Sequence, residues 1–463
     1  MKRRSYLKAL LRFLRSEEGT VLILFAVLIP VMMGIIGLVL DGGRAYTVNN
    51  ELQDLADAAA LAGAKELDGT QSGMDAASVA AVNLLRNDPR WSNVEAKGLQ
   101  IQRIRFCKTP LANPDPWQAC TTTADPKAVN YVEVTTIRRD VSPVFTVAVG
   151  ATGNVGSQAI AIAGTTVVAC NVQPLMLCNP TEPAEFTAVP GQMFVFKQKG
   201  GGQGQNPAYV PGDFGLLDPP GQDSSTGPQL RNLLSRQSPK FCYINNVSPR
   251  PGQSTGNVDT GINVRFDQQP GPGQQDGLDL TPGPVVIDGM APKNKNNPCG
   301  PQQDLGATAR MPQDTGMQQV GTLLVGTQRP TVAAKNAYWQ YHHNTNWPAN
   351  LTTRYEAYLS EIELMKSGTW GKPNPPEPPA PSCAPANVLN KGDAARRIIS
   401  VAIVDCQKQG VHGNAVSNVR SDKYAEFFLT EPASGGTIYT EFVRMLTPDN
   451  DDGKLHRIVQ LYR

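Results

Sequence analysis

An uncharged apolar run from Gly19 to Leu40, twenty-two residues long, constrains this chain more than any other feature. A helix rises about 1.5 Å per residue, so the run reaches roughly 30 Å, the thickness of a hydrocarbon core. Pro30 lies mid-span, and Gly34 and Gly37 follow it. Membrane helices accept such residues where local adjustments satisfy the freed backbone groups. Everything after the run is expected to be tethered to a bilayer.

The flanks assign a side. Lys2, Arg3, Arg4, Lys8, Arg12 and Arg15 precede the run, whereas the first basic residues after it are Arg44 and Lys65. Positive charge beside a span stays cytoplasmic, so the N-terminus is expected inside and residues 41–463 outside. A cleaved signal peptide is the rival, but its apolar core is usually about 7–15 residues with a small-residue cleavage site. Leu38-Val39-Leu40-Asp41 is a poor site of that kind.

The cysteines agree with export. Cys107, Cys120, Cys170, Cys178, Cys242, Cys299, Cys383 and Cys406 all lie beyond the run, and their even number suits disulfides in an oxidising compartment. Pairing of sequence neighbours (107–120, 170–178, 242–299, 383–406) is the simplest expectation. No CxxC or Cys/His pair stands at zinc-ligand spacing. With 42 Lys and Arg against 40 Asp and Glu, there is no nucleic-acid footprint.

From Arg44 to Leu67 the pattern stays helical, with Ala56-Asp57-Ala58-Ala59-Ala60-Leu61-Ala62 at its centre, so one helix is expected to run from the membrane into the exported region. A second is expected at Met74–Arg86. Strand patterns follow at Leu99–Phe106, Tyr131–Arg138, Val144–Val149 and Ala159–Val168. A long helix on an antiparallel sheet makes the fold class α+β. The divisions expected are a basic leader (1–18), the span (19–40), an α+β domain (41–168), a loop-rich mainly-β region (169–386) with a proline-rich linker at 371–386, and a C-terminal β segment (387–463). Within the last two, Met193–Phe196, Val285–Ile287, Arg397–Val404, Ala425–Thr430, Thr437–Met445 and His456–Tyr462 read as strands and Tyr355–Lys366 as a helix. Whether these form separate domains or one interleaved sheet is open.

The first seventy residues resemble the TadE/TadG-like proteins of Flp (tight-adherence) pilus assembly, and most closely the TadG-like ones. The resemblance rests on Glu18-Gly19, Pro30, the stretch Gly37 to Tyr46, and above all Leu52-Gln53-Asp54-Leu55-Ala56-Asp57-Ala58-Ala59-Ala60-Leu61-Ala62, which is similar to the family's LQ-x-x-ADAAALA string. It implies a cell-envelope protein held in the bacterial inner membrane, its bulk periplasmic, with other pilus-assembly proteins as partners. Asp41, Arg44, Leu52, Gln53 and Asp57 are then the residues of an interaction helix, whose small side chains offer a close-packing face. Asp41 and Arg44 stand one turn apart, close enough to pair. One departure matters: prepilins are cut after a glycine and carry glutamate at the fifth mature position, whereas Leu24 occupies that place after Gly19. Retention as machinery is therefore expected rather than extraction into a fibre.

Signals for an enzyme or cofactor are thin, and neither catalytic residues nor a cofactor is expected. No GxSxG, HExxH or Walker A string occurs. His342-His343 reads as an ordinary surface pair. Asp223-Ser224-Ser225-Thr226 approaches a metal-adhesion motif but has Gly227 where a serine belongs. Asp449-Asn450-Asp451-Asp452-Gly453 misplaces glycine for a calcium loop, and Gln460 stands at position twelve, so a turn explains it. Asp276-Gly277-Leu278-Asp279 is weaker, and the glycine run 200–204 lacks a phosphate-binding lysine. The function expected is an anchored structural component of pilus assembly. The alternative is a tethered module gripping peptidoglycan or polysaccharide. The oligomeric state is not legible.

Overall fold

The computed structural model describes residues 18–67, 70–83, 100–115, 118–126, 129–150, 153–199, 208–221, 226–244, 246–250, 252–294, 296–372, 377–412, 419–447, 450 and 452–462. These form two compact units, one reaching to Thr166 and regained from Ile458 onward, the other running Val167–Arg457. The fold is α+β. The leader, the glycine run, Asp223–Ser225, Asp449 and Asp451 lie outside the described residues.

The first unit is built on helix α1, Glu18–Lys65, 48 residues without a break. Pro30 sits inside it and lacks the N–H that would bond four residues back. The first half is bare, with Leu22 75 % exposed. In the second half Leu52, Ala56, Ala59, Ala60 and Ala64 recur at helical spacing and are fully buried. They pack on α2, Gln71–Asn83, and on the sheet. Gly63 sets the distance: a Cβ there would lie 3.2 Å from the Ala77 carbonyl oxygen and 3.3 Å from Val132 Cγ1. Burial of Leu52 alone contributes about 2 kcal/mol.

The sheet of this unit carries β1 (Ile101–Asp115), β2 (Gln118–Thr122), β3 (Tyr131–Thr136) and the start of β6 (Ile160–Cys170) in the order β6-β3-β1-β2, all antiparallel. β4 (Arg139–Val141) and β5 (Val155–Ser157) form a separate pair. Every residue of β3 is buried, including Glu133, whose Oε1 accepts from Arg105 Nε at 2.6 Å.

In the second unit a ten-stranded sheet interleaves early and late sequence. Its strands are β7 (Leu175–Cys178), β8 (Met193–Lys197), β9 (Phe214–Asp218), β11 (Asn246–Arg250), β14 (Thr315–Val320), β15 (Leu323–Gln328), β16 (Ile398–Val404), β17 (Val419–Arg420), β18 (Lys423–Leu429) and β19 (Thr437–Met445). Their order is β14-β15-β8-β19-β18-β16-β7-β9-β11-β17. β16 runs parallel to β7, and the C-terminal segment thereby completes the sheet begun by β7 and β8. β10 (Cys242–Ile244) pairs with the end of β6, while β12 (Met290–Pro292) and β13 (Gln302–Asp304) form a small ribbon. β20 (Leu455–Leu461) pairs with β6, not back onto β19.

Both faces of the large sheet are covered, because adjacent strand residues point to opposite sides. Phe427 joins Phe194, Phe196 and Phe214 beneath α3 (Gly227–Ser235) and α4 (Thr255–Asn263). Its neighbour Phe428 joins Tyr338, Trp339 and Tyr358 of α5 (Val332–His343) and α6 (Arg354–Lys366). Arg397 is fully buried with its guanidinium 4.0 Å from the Phe266 ring centre, and it donates to the carbonyls of Leu429, Val285 and Thr430.

Several expectations need correction. Val144–Val149 is not a strand: Thr146–Val149 is a 3-10 turn closed by Gly150 at φ 91°. Val285–Ile287 is not a strand: the Val286 amide bonds to the Pro379 carbonyl at 3.0 Å, and Val285 and Ile287 are buried. His342 and His343 are not at the surface; both are buried in the last turn of α5. Of the disulfides, 107–120 forms, but the others are Cys170–Cys242, Cys178–Cys406 and Cys299–Cys383. Sequence distance failed because sheet order is not chain order. Cys170 stands directly opposite Cys242 across β6 and β10. Cys178 stands opposite Val404, just before Cys406, which opens α7 (Cys406–Gln409).

Candidate functional site at the base of the long helix

Where the apolar half of α1 ends, the Asp41 side chain reaches across to the loop 142–150. It accepts from the backbone N–H of Val144 (3.0 Å), Phe145 (3.0 Å) and Thr146 (2.8 Å) and from the Thr146 hydroxyl (2.8 Å). Three consecutive amides converging on one carboxylate require a turn, since in a strand successive N–H groups point opposite ways. This explains why an apparent strand pattern folds as a 3-10 turn. Burial alone would raise the Asp41 pKa, but the bonds from Thr146, Val144 and Phe145 outweigh it and hold the carboxyl at about 2. Arg44 adds a looser contact at 3.8 Å.

Gly37 makes the approach possible. A Cβ at this position would lie 3.2 Å from the Phe145 carbonyl carbon and 3.3 Å from the Thr146 nitrogen. Val144, Phe145 and Val147 nevertheless turn outward, 56 %, 48 % and 52 % exposed.

The other residues expected on an interaction helix divide. Leu52 is consumed by the unit's own core. Gln53 and Asp57 bond to each other, Nε2 to Oδ1 at 2.7 Å, and both are half-buried. Burial raises the Asp57 pKa, the Gln53 bond opposes it, and the charge of Asp54 adds to the rise. The small residues Ala56, Ala59, Ala60 and Ala64 likewise face inward. Beyond the apolar run, α1 turns outward Gly42, Gly43, Tyr46, Asn49, Asn50, Asp54, Ala58 and Lys65, a mostly polar stripe.

Two clusters in the second unit have chemistry that sequence patterns missed. A cleft of about 330 Å³ is lined by Asp288, Glu377, Gln268, Ser382 and the Cys299–Cys383 disulfide. Glu377 Oε1 accepts from the amides of Asp288 (2.5 Å) and Gly289 (3.1 Å), and Asp288 Oδ2 accepts from Gln268 at 2.8 Å. Burial raises both carboxyl pKa values, and the neighbouring Asp288 charge pushes Glu377 well above the usual range. The second cluster joins His343 Nε2 to Glu361 Oε1 at 3.2 Å, while Tyr338 donates to the same oxygen at 2.7 Å. His343 Nδ1 faces the Trp370 carbonyl at 2.9 Å, so both ring nitrogens are engaged. In the first unit, Glu133 lies beside Cys107 and Cys120, but their sulfurs are joined to each other.

The signal for the Asp41 contact was present in the sequence as an uncharged segment bounded by Pro143 and Gly150. Nothing local announces Asp288 with Glu377, which are 89 residues apart.

Residues 19–66 match the family model described as "Putative Flp pilus-assembly TadE/G-like". This helix is similar to a Tad segment. The match is nearly coextensive with α1, so the matched segment is a single helix holding both the apolar run and Asp41. It is also the one helix, among the described residues, long and apolar enough to cross a membrane. No curated protein and no solved structure matches the chain.

Proposed function

We propose that this chain is a non-enzymatic component of a Flp/Tad-type pilus-assembly system, held in the bacterial inner membrane by the Tad helix. The match of residues 19–66 to the TadE/G-like model carries this reading. The apolar half of α1 serves as the anchor, and the basic residues before it favour a cytoplasmic N-terminus with the two units in the periplasm. Four disulfides suit that oxidising compartment. Its work is protein–protein: the polar outward stripe of α1 is the surface offered to other assembly proteins, the apolar stripe being used internally. Leu24 in place of a glutamate favours retention over incorporation into a fibre.

Gene deletion tests the role, and fractionation tests the place. Loss of piliation on deletion, restored by the intact gene, supports the proposal, as does recovery of the intact chain in the inner-membrane fraction. Normal pili without the gene would overturn it. Retention of the disulfide-bonded chain on purified peptidoglycan, with pili unaffected, would favour the wall-binding alternative.

A further inference from the structure

We infer that the loop 142–150 is a second membrane contact, an apolar collar that enters the outer interface of the same bilayer the helix crosses. This rests on the membrane-anchor reading above. The loop's height is set by Gly37, whose α-carbon packs against the Phe145 backbone. Gly37 belongs to the uncharged run and lies three residues before its end at Leu40. At about 1.5 Å per residue, Phe145 is therefore level with a point roughly 4–5 Å inside the apolar segment.

The composition suits that depth. No charged residue occurs from Val141 through Thr181, and Val144, Phe145 and Val147 project outward from the turn. Exposed apolar side chains level with a span are covered by lipid rather than water. The chief obstacle to placing irregular backbone in a bilayer is its unsatisfied N–H groups. Here Asp41 accepts from the amides of Val144, Phe145 and Thr146, and the Gly150 amide bonds to the Val147 carbonyl. The carboxylate that ends the span thus fits the loop for the interface, which neither ordinary termination of a helix nor orientation of partner helices would require. A partner protein's apolar helix is the competing occupant. Lipid is favoured because the loop is continuous with the lipid-facing surface of α1 at Gly37.

Photo-crosslinking tests the inference. The full disulfide-bonded chain is reconstituted in vesicles of phosphatidylethanolamine and phosphatidylglycerol, with p-benzoylphenylalanine placed singly at positions 145, 29 and 65. Position 29 lies inside the span, and position 65 is 24 residues beyond Asp41, about 36 Å along the helix. Lipid adducts are counted by intact mass. The expected result is labelling at 29 and 145 at least fivefold above that at 65. Labelling at 29 with 145 at the level of 65 would overturn the collar and leave the anchor standing. Absence of lipid adducts at 29 would overturn both. Repeated in cells, a protein adduct at 145 in place of lipid would assign the loop to a partner and overturn the inference.

Discussion

Asp41 Oδ2 lies 2.8 Å from both the backbone nitrogen and the hydroxyl oxygen of Thr146, a residue 105 positions later in the chain. Through this contact the end of an apolar helix and a distant loop become one structure. A Cβ built at Gly42, the next residue, would meet nothing within 4 Å, so the tight packing is local to the Gly37–Asp41 turn.

Asp41→Asn retains one acceptor oxygen where there were two and turns an NH₂ toward donor amides. Hydrogen exchange of a peptide covering 142–150 is expected to quicken at least tenfold at Phe145 and Thr146. In the parent chain the same protection should depend on pH. The folded pKa of about 2 lies below the ordinary 3.8, so the stabilisation is complete above about pH 4 and is lost as pH falls toward 2. Unchanged exchange in the variant would remove Asp41 from this role.

Gly37→Leu separates sterics from charge. A methyl at this position requires the loop to give by a few tenths of an ångström, whereas a leucine must displace it. Gly37→Ala should leave exchange at Phe145 within about threefold of the parent, and Gly37→Leu should match Asp41→Asn. Equal exchange in Gly37→Ala and Gly37→Leu would show that the loop is not seated on Gly37.

Arg354 is the central cation of the second unit. It is buried, and it pairs with Asp314 at 2.5 Å and Glu441 at 2.9 Å while donating to the Pro312 and Gly191 carbonyls. Arg354→Met strands two buried carboxylates, at a cost of about 3–5 kcal/mol. The melting transition of this unit should fall by roughly 6–20 °C. Arg354→Lys should not restore it, because an ammonium cannot reproduce the planar fork. Calorimetry of the full chain in detergent reads both.

Glu377→Gln should stabilise the second unit increasingly as pH rises. The folded pKa of Glu377 is raised, so the native state holds a proton that the unfolded chain releases above about pH 4.3, and stability falls from there upward. Glutamine mimics the protonated form throughout. The difference in melting temperature, variant minus parent, should grow between pH 5 and pH 8; a constant difference would refute the raised pKa of Glu377.

The α+β class was legible because periodicity is strong where one face is buried. Residues 44–67 showed the 3.6-residue repeat of a helix, and Thr437–Met445 became β19 without adjustment. Local pattern failed at Val144–Val149, where β-branched residues suggested a strand and a carboxylate more than a hundred residues away imposed a turn. Partner choice among strands was equally hidden. Nothing near Cys178 indicates that Val404 will lie beside it. The exposure of Val144, Phe145 and Val147 was hidden for a related reason: apolar residues in a strand pattern point to a buried face, and here they are exposed.

The parallel placement of β7 against β16 has a consequence for biosynthesis. Cys406 is made 228 residues after Cys178. At about 5–20 residues per second that interval is roughly 10–50 s, during which β7 has no central neighbour. Until then Cys178 lacks its native partner among the six other cysteines that precede Cys406 in the chain. A chain truncated before Ile398 keeps β9 and β15 but lacks β16 and β19, the other neighbours of β7 and β8, so it should be cleared by proteolysis rather than accumulate as a shortened protein. Quality control can therefore read the completeness of this message from about the last seventh of its product.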